Sequence, residues 1–274
     1  MKLKLTSMEV MNLNKEQLQE QIKMWEKFNF NGAYNEEIAK AKAKIEELEL
    51  EENQEKKDLE TMMLCSHGDL IGGTTNTQYA SYSYLVKMGY VDNGENPTGE
   101  YQKYLYDKDL ENKRQELMNE GVKVPSRRVL LRDIKFLSKL GYVDLINTRA
   151  NGLCYIIRQS VDGKYFTTIP YYKWRELTES TNKNMMRLFV ILSHKCNCVD
   201  YTMITREYFC KCLNIEPTEG NIRYISRLIN SLKKLGHIHI KQNREVITLD
   251  DGTVKCVTHN YYRLTTYEEW KNKE

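Results

Sequence analysis

The sequence predicts a mostly helical α+β protein in which an N-terminal helical arm precedes two related domains. Apolar residues follow the 3–4 spacing of amphipathic helices through the first 65 residues. Farther along, two stretches 95 residues apart each change from helical spacing to strand alternation at a glycine. We therefore expect an acidic helical arm over 1–65 and two domains over 70–160 and 163–274.

The overall charge is nearly balanced, but its distribution is not. The 274 residues include 41 basic and 38 acidic side chains, a net charge of +3, with 41% hydrophobic residues. This apolar content is enough for buried cores and argues against disorder. The first 63 residues hold 10 basic and 14 acidic side chains, so the rest of the chain carries a net charge of +7. A near-zero total therefore does not exclude a nucleic-acid binder, since clustered charge is what attracts a polyanion.

Other features of the composition indicate a cytoplasmic protein without a membrane partner. No apolar run reaches the ~18 residues that a transmembrane helix needs, and the start of the chain turns polar too early for a signal-peptide core. Seven cysteines, an odd number, favour a reducing compartment over a disulfide framework.

The arm is predicted to be a helical hairpin or a short coiled coil. Leu18, Ile22 and Trp25 fall at i, i+4 and i+7, and a turn signal follows at 29–32. A second apolar seam is interrupted by glutamates before it resumes; its members are Ile38, Ala41, Ile45, Leu48, Leu59 and Met62. Two interpretations stay open: a dimerisation arm, or a charged helix lying against the main body.

The internal repeat is the main sequence signal. Residues 126–149 and 221–244 share eight of 24 positions without gaps. Each copy starts with helix-start residues, ends its helix at a glycine (Gly141 or Gly236) and continues into a β-hairpin. The shared pairs are Arg128/Arg223, Arg132/Arg227, Ile134/Ile229, Leu137/Leu232, Lys139/Lys234, Leu140/Leu235, Gly141/Gly236 and Arg149/Arg244.

Each repeated helix has a polar, mainly basic stripe opposite an apolar one. The polar stripes are Arg128, Arg132, Lys135 and Lys139 in the first copy, and Arg223, Arg227, Asn230 and Lys234 in the second. The apolar stripes are Leu130, Ile134 and Leu137, and Ile225, Ile229 and Leu232. Ordinary surface helices mix charge signs to gain i,i+4 pairs. A stripe of one sign in both copies favours a polyanionic partner.

The order of elements in the second copy carries a family resemblance. This order resembles a winged helix-turn-helix. It consists of a first helix over 183–196, a short strand at 201–204, a helix from Thr205 to Leu213, a turn, a basic helix over 218–235 and a hairpin over 237–264. The segment 163–192 resembles the opening of plasmid and phage replication initiators, which pair two winged helices in one chain. The resemblance covers 163–265 and, less fully, 105–160; residues 1–70 lie outside it.

The resemblance implies sequence-specific binding of double-stranded DNA, with a helix in the major groove and a wing against the backbone. The function that it implies is initiation of plasmid or phage replication; transcription regulation is the alternative, with the corresponding machinery as a further partner. By position, the residues that would reach bases are Arg127, Arg128, Arg132, Asn221, Arg223 and Arg227. Those that would meet phosphates are Lys135, Lys139, Arg149, Lys234, Lys241, Asn243 and Arg244. The alternative for each is a solvated surface charge.

Two further motifs suggest metal chemistry. His237-Ile-His239 with Tyr267 resembles the metal site and nucleophile of rolling-circle nickases, an enzymatic alternative. However, the triplet begins a predicted wing strand and has no evident third ligand. His194 with Cys196, Cys198, Cys210 and Cys212 lacks the usual zinc spacing, so buried structural thiols are the better interpretation. We predict no catalytic residue, metal or cofactor, and a mainly structural role for the seven tyrosines of 79–106.

Overall fold

The computed structural model describes residues 13–29, 32–91, 101–161, 163–180, 184–248, 250 and 253–273. The chain divides into two compact units, Met1–Glu60 and Thr61–Glu274. Helices alternate with sheets whose strands are all antiparallel, which confirms the α+β class. The sequence DNGENPTG predicts a loop at 92–99, and Asp251 and Gly252 predict a hairpin turn, but these residues lie outside the described part of the chain.

The first unit is a pair of antiparallel helices, α1 (Lys15–Lys27) and α2 (Asn35–Leu59). Leu18, Ile22 and Trp25 of α1 pack against Ile38 and Ala41 of α2, so the predicted helical hairpin is confirmed. Ion pairs join the helices along their length at N···O distances of 3.1 Å, between Lys15 and Glu49 and between Glu26 and Lys42.

The second unit begins with a strand over 61–65, a segment that the sequence predicts to be the end of the helical arm. Its elements in chain order are β1 (Thr61–Cys65), α3 (Gly68–Gly73), α4 (Asn76–Met88), β2 (Tyr90–Val91), β3 (Gln102–Tyr106), α5 (Leu110–Asn119), α6 (Arg127–Lys139), β4 (Val143–Thr148), β5 (Gly152–Arg158), β6 (Phe166–Pro170), α7 (Tyr171–Glu179), α8 (Asn184–Lys195), β7 (Thr202–Met203), α9 (Arg206–Cys212), α10 (Glu219–Lys234), β8 (Ile238–Thr248), β9 (Val254–Leu264) and α11 (Tyr267–Lys271).

The order helix–strand–helix–helix–strand–strand occurs twice in this unit. Repeat 1 consists of α4, β3, α5, α6, β4 and β5, and repeat 2 of α8, β7, α9, α10, β8 and β9. The strand order within the sheets also agrees, β3-β5-β4 in repeat 1 and β7-β9-β8 in repeat 2, while β2 extends the first sheet at the outer edge of β3. The sequence repeat at 126–149 and 221–244 therefore corresponds to equivalent elements of two equal topologies.

A strand precedes each repeat, and these two strands pair with each other. Residues of β1 and β6 align from Thr61 opposite Pro170 to Cys65 opposite Phe166. This pairing corrects the expected helix over 61–65, because a distant partner strand decides the conformation of this segment. The glycine-rich sequence SHGDLIGGTT predicts a loop at 66–75, which is wrong in part, since α3 forms there with Leu70 and Ile71 buried. One hydrophobic cluster runs through both repeats, so the predicted domains over 70–160 and 163–274 share a core.

The ends of the two basic helices follow from their local sequence. Ser126 and Thr218 accept hydrogen bonds from backbone amides at the N-termini of α6 and α10. Beyond the C-termini, Gly141 and Gly236 have φ of 78° and 71°, a left-handed conformation that favours glycine. The amide after each glycine donates to a carbonyl five residues back, as in a Schellman motif.

Arg187 of α8 ties the two repeats together. Its buried guanidinium donates to two carbonyl oxygens, that of Ile71, which precedes repeat 1, and that of Leu213 at the end of α9 in repeat 2, the latter at 3.3 Å. It also donates to Asn76 Oδ1 of repeat 1 at 3.0 Å. One side chain thus bonds to a backbone carbonyl before repeat 1, to a side chain of repeat 1 and to a backbone carbonyl of repeat 2.

Candidate nucleic-acid interface

The helices α6 and α10 bury their apolar stripes as predicted. Leu130, Ile134 and Leu137 of α6 are buried, and so are Ile225, Ile229 and Leu232 of α10. These contacts fix the rotation of each helix about its axis. The basic stripes must then face outward.

Nearly all predicted contact residues are exposed. The exposed set is Arg127, Arg128, Arg132, Lys135, Lys139, Arg149, Arg223, Arg227, Lys234, Lys241, Asn243 and Arg244. Asn221 is half-buried, because its Nδ2 donates to the Glu216 carbonyl oxygen at 2.8 Å and closes the turn before α10. Its side-chain amide is thus engaged within the protein, which differs from its predicted role as an outward base reader.

Three of the predicted arginines, Arg127, Arg132 and Arg223, form ion pairs within the protein. Arg127 Nη2 donates to both carboxylate oxygens of Asp107 at 2.7 and 2.8 Å. The Tyr155 hydroxyl also donates to Asp107, at 2.6 Å, so this carboxylate is held from two sides. Arg223 pairs with Glu219 one turn earlier on α10. Both residues of this second pair are exposed, and such pairs are weak enough for another anion to replace them.

A buried carboxylate lies behind Arg132. Asp133 is fully buried and accepts hydrogen bonds from Ser81 Oγ at 2.6 Å and Arg132 Nε at 3.0 Å. In repeat 2 the aligned residue is Leu228, which is also buried. The two helices thus share their basic outer faces, whereas a buried carboxylate lies behind the first and an apolar side chain takes its place behind the second.

An open basic depression lies along α10. Arg227, Asn230, Ser231, Lys233 and Lys234 line it, and none of these five is acidic. The sequence repeat did not single out Lys233, because it aligns with Ser138 and so falls outside the shared positions. Lys233 and Lys234 together make the C-terminal turn of α10 more basic than that of α6.

A separate polar cleft of about 390 Å³ adjoins the depression and shares two of its residues. It lies between α10, the N-terminus of α9 and the sheet strands β8 and β9. Its lining residues are Arg206, Ser226, Ile229, Asn230, Lys233, Ile240, Gln242, Asn260 and Tyr262. Arg206 was not predicted, since nothing in its local sequence indicates that it meets α10 and the sheet.

The hairpins of the two repeats have different surfaces. Hairpin 1 (β4–β5) is short, and with β2 and β3 it lines a groove of tyrosine, valine, isoleucine, threonine and cysteine side chains, among them Tyr104, Tyr106 and Ile156. Hairpin 2 (β8–β9) has strands of eleven residues each. Its outer part presents Lys241, Asn243 and Arg244 to solvent. Both hairpins therefore carry exposed basic side chains, with Arg149 at the tip of the first and Lys241 and Arg244 along the second.

The residues of the nickase hypothesis lie in different environments. His237 is fully buried, with Nε2 3.1 Å from Glu176 Oε2, whereas His239 Nε2 lies 3.4 Å from Glu269 Oε2. Burial lowers the pKa of His237, although Glu176 opposes this effect. Tyr267 stacks on Trp270. Within the described part of the chain, no group of three or more histidine, cysteine, aspartate or glutamate side chains is arranged to hold a metal ion.

The cysteines and tyrosines predicted to be structural are buried only in part: Tyr79, Tyr82 and Tyr84 are buried, whereas Tyr90 and Tyr101 are exposed. Cys196 and Cys210 are buried and Cys212 is half-buried, while Cys198 is exposed, which differs from the expected burial. Burial raises the pKa of the Cys196 thiol to about 11. Tyr79 and Tyr82 are buried, and their hydroxyls donate to the carbonyl oxygens of Cys65 and Arg158.

Comparisons with models of known protein families, with curated proteins and with solved structures found no match to this chain. In the described part of the chain, every helix is too short or too polar to cross a membrane. The fold and the surface together define an α+β protein with two topologically equal repeats, each of which exposes the basic face of one helix.

Proposed function

We propose that the two repeats are winged helix-turn-helix domains and that the chain binds double-stranded DNA in a sequence-specific manner. The observation that carries this proposal is the basic face that occurs on the same helix of both repeats. Positive charges repel each other, so the presence of a basic face at equivalent positions of both repeats is best explained by a polyanionic partner.

The topology supports the assignment of α6 and α10 as recognition helices. Each is the third helix of its repeat and directly precedes the hairpin, the position of the recognition helix in a winged helix. A helix of 13 to 16 residues is about 20–24 Å long at 1.5 Å per residue, and the major groove is wide enough to admit it.

The shared core bears on the form of the DNA site. Pairing between β1 and β6 and the contacts of Arg187 join the repeats, so α6 and α10 are held at a fixed separation. We therefore propose one composite site with two contacted segments at constant spacing. Such a site suits initiation of plasmid or phage replication in the cytoplasm, with the replication machinery as a further partner; transcription regulation is the alternative.

The experiment begins with selection of bound sequences from a random duplex library, followed by affinity measurements over a range of salt concentrations. We expect log affinity to fall linearly with log salt, with a slope of about −0.9 for each phosphate neutralised. Arg128→Ala and Arg227→Ala should each cost about 1–3 kcal/mol if the residue reads a base. Lys164→Ala, an exposed lysine between the repeats, is the matched control and should bind like the wild type.

Two results would contradict the proposal: no duplex affinity at low salt, or unchanged affinity in both arginine variants. The position of the selected sequence separates the two roles. Direct repeats at a replication origin support initiation, whereas a single operator beside a promoter supports transcription regulation.

A further inference from the structure

We infer that the polar cleft between α10 and hairpin 2 binds a phosphate group, with Arg206 and Lys233 as the cations that hold it. The inference rests on the proposed function for the source of the phosphate, which is the DNA backbone. The binding chemistry itself follows from the lining of the cleft.

The charge balance of the cleft favours an anion. Its lining contains two cations and no carboxylate. Elsewhere in this unit arginines pair with acidic neighbours, as Arg158 does with Asp144 and Arg263 with Glu269. Neither Arg206 nor Lys233 has such an ion pair with any residue that the structure describes. Their positive charges are therefore unbalanced within the cleft.

Arg206 supplies the most specific observation. Its Nε is buried and has no hydrogen-bond acceptor among the described residues. A buried donor without an acceptor is destabilising, so a ligand oxygen at this atom would recover that loss. The planar guanidinium presents several N–H donors in a fork that matches the oxygens of phosphate.

Neutral groups complete a phosphate site. Gln242 Nε2 donates to Asn260 Oδ1 at 3.0 Å, which orients the Asn260 amide and leaves its own N–H groups as donors. Burial raises the pKa of Tyr262 to about 12, against the opposing effect of the Arg206 guanidinium. Its hydroxyl therefore stays protonated at neutral pH. With Asn230 on the opposite wall, the cleft offers both charge and neutral donors.

Repeat 1 has no equivalent of this site. The first residue of α5, which corresponds to Arg206 in α9, is the buried Leu110. The residue aligned with Lys233 is Ser138. Because both cations are missing, the inference concerns repeat 2 alone.

The first experiment uses inorganic phosphate as the probe and needs no DNA. Phosphate is titrated into the full-length protein at constant ionic strength, and nuclear magnetic resonance follows the Arg206 Nε–H signal and the side-chain amides of Asn230 and Asn260. We expect saturable shifts that chloride does not produce, that Arg206→Gln abolishes and that Lys164→Gln leaves unchanged. Arg206→Lys keeps the positive charge, and it should retain weaker binding if the variant is folded. Equal shifts with chloride, or saturable binding in Arg206→Gln, would overturn the inference.

The second experiment identifies the source of the phosphate. The double variant R206Q/K233Q should lower the salt slope of duplex binding by about 0.9 for each phosphate that is no longer neutralised, with K164Q again as the control. Saturable phosphate binding with an unchanged duplex slope would overturn the DNA backbone as the source and leave a small-anion site. Absence of any duplex binding would refute the proposed function, while the phosphate titration would still decide the site.

Discussion

Replacement of the buried Asp133 by alanine tests how the basic helix of repeat 1 is supported. Its carboxylate accepts hydrogen bonds from Ser81 Oγ at 2.6 Å and from Arg132 Nε at 3.0 Å. Both Asp133 and Ser81 have a relative exposure of 0%. Removal of the carboxylate therefore leaves the Ser81 hydroxyl buried without this acceptor.

The expected loss in the free energy of unfolding is about 1–4 kcal/mol. The unsatisfied hydroxyl contributes about 1–3 kcal/mol. The Arg132 side chain is 66% exposed, so loss of its ion pair adds at most about 1 kcal/mol. Ser81→Ala alone removes a hydrogen bond to a carboxylate and should cost about 1.5–3 kcal/mol, while Asp133 keeps its contact with Arg132.

A double-mutant cycle isolates the hydrogen bond. In S81A/D133A the hydroxyl is gone, so we expect its loss of stability to be about 1–2 kcal/mol smaller than the sum of the single losses. Urea titrations followed by circular dichroism give the midpoints, and an unchanged slope indicates a true stability change. S81A/D133L copies the apolar environment of Leu228 in repeat 2 and should approach wild-type stability. Additive single losses, within about 0.5 kcal/mol, would refute this account.

Three further predictions concern the rest of the chain. Arg187→Met should lower the free energy of unfolding by about 3–5 kcal/mol, because it leaves buried carbonyl oxygens unpaired; a urea midpoint close to wild type would contradict this. Burial raises the pKa of Glu176, but hydrogen bonds from His237, Lys273 and Trp270 lower it overall, to about 2. The ionised Glu176 carboxylate therefore stabilises the fold fully above pH 4.5, and this stabilisation is lost as the pH falls towards 2. The difference in urea midpoint between wild type and Glu176→Gln should accordingly shrink over that range rather than stay constant. If the arm dimerises, the full chain should have twice its monomer mass in solution, whereas the fragment 61–274, which keeps β1 whole, should be a monomer. An equal oligomeric state of the full chain and the fragment would contradict dimerisation through the arm.

The sequence predicts those parts of the fold that depend on neighbouring residues. The caps at Ser126 and Thr218 and the left-handed glycines at 141 and 236 depend on contacts within about five residues. By contrast, β1 forms because a strand about 100 residues later pairs with it. No local pattern in 61–65 contains that information.

The candidate site shows the same limit. Helical periodicity was sufficient to predict the exposed faces of α6 and α10, since burial of one stripe determines the other. It did not identify Arg206, whose cleft is assembled from α9, α10 and two strands. The family resemblance assigned Asn221 to a base contact, although its side-chain amide donates to the Glu216 carbonyl oxygen.

The two repeats combine one topology with different surface chemistry, and this difference divides their proposed roles. In repeat 1 the buried carboxylate of Asp133 lies behind the basic helix, and the hairpin that follows this helix is short and lines a largely apolar groove. Repeat 2 adds Lys233, the cleft with Arg206 and a long hairpin with exposed basic residues. If both repeats contact one DNA molecule, most phosphate contacts, and hence most of the salt dependence, should come from repeat 2. Repeat 1 would then contribute chiefly through α6, and the shared core would set the spacing at which both helices act.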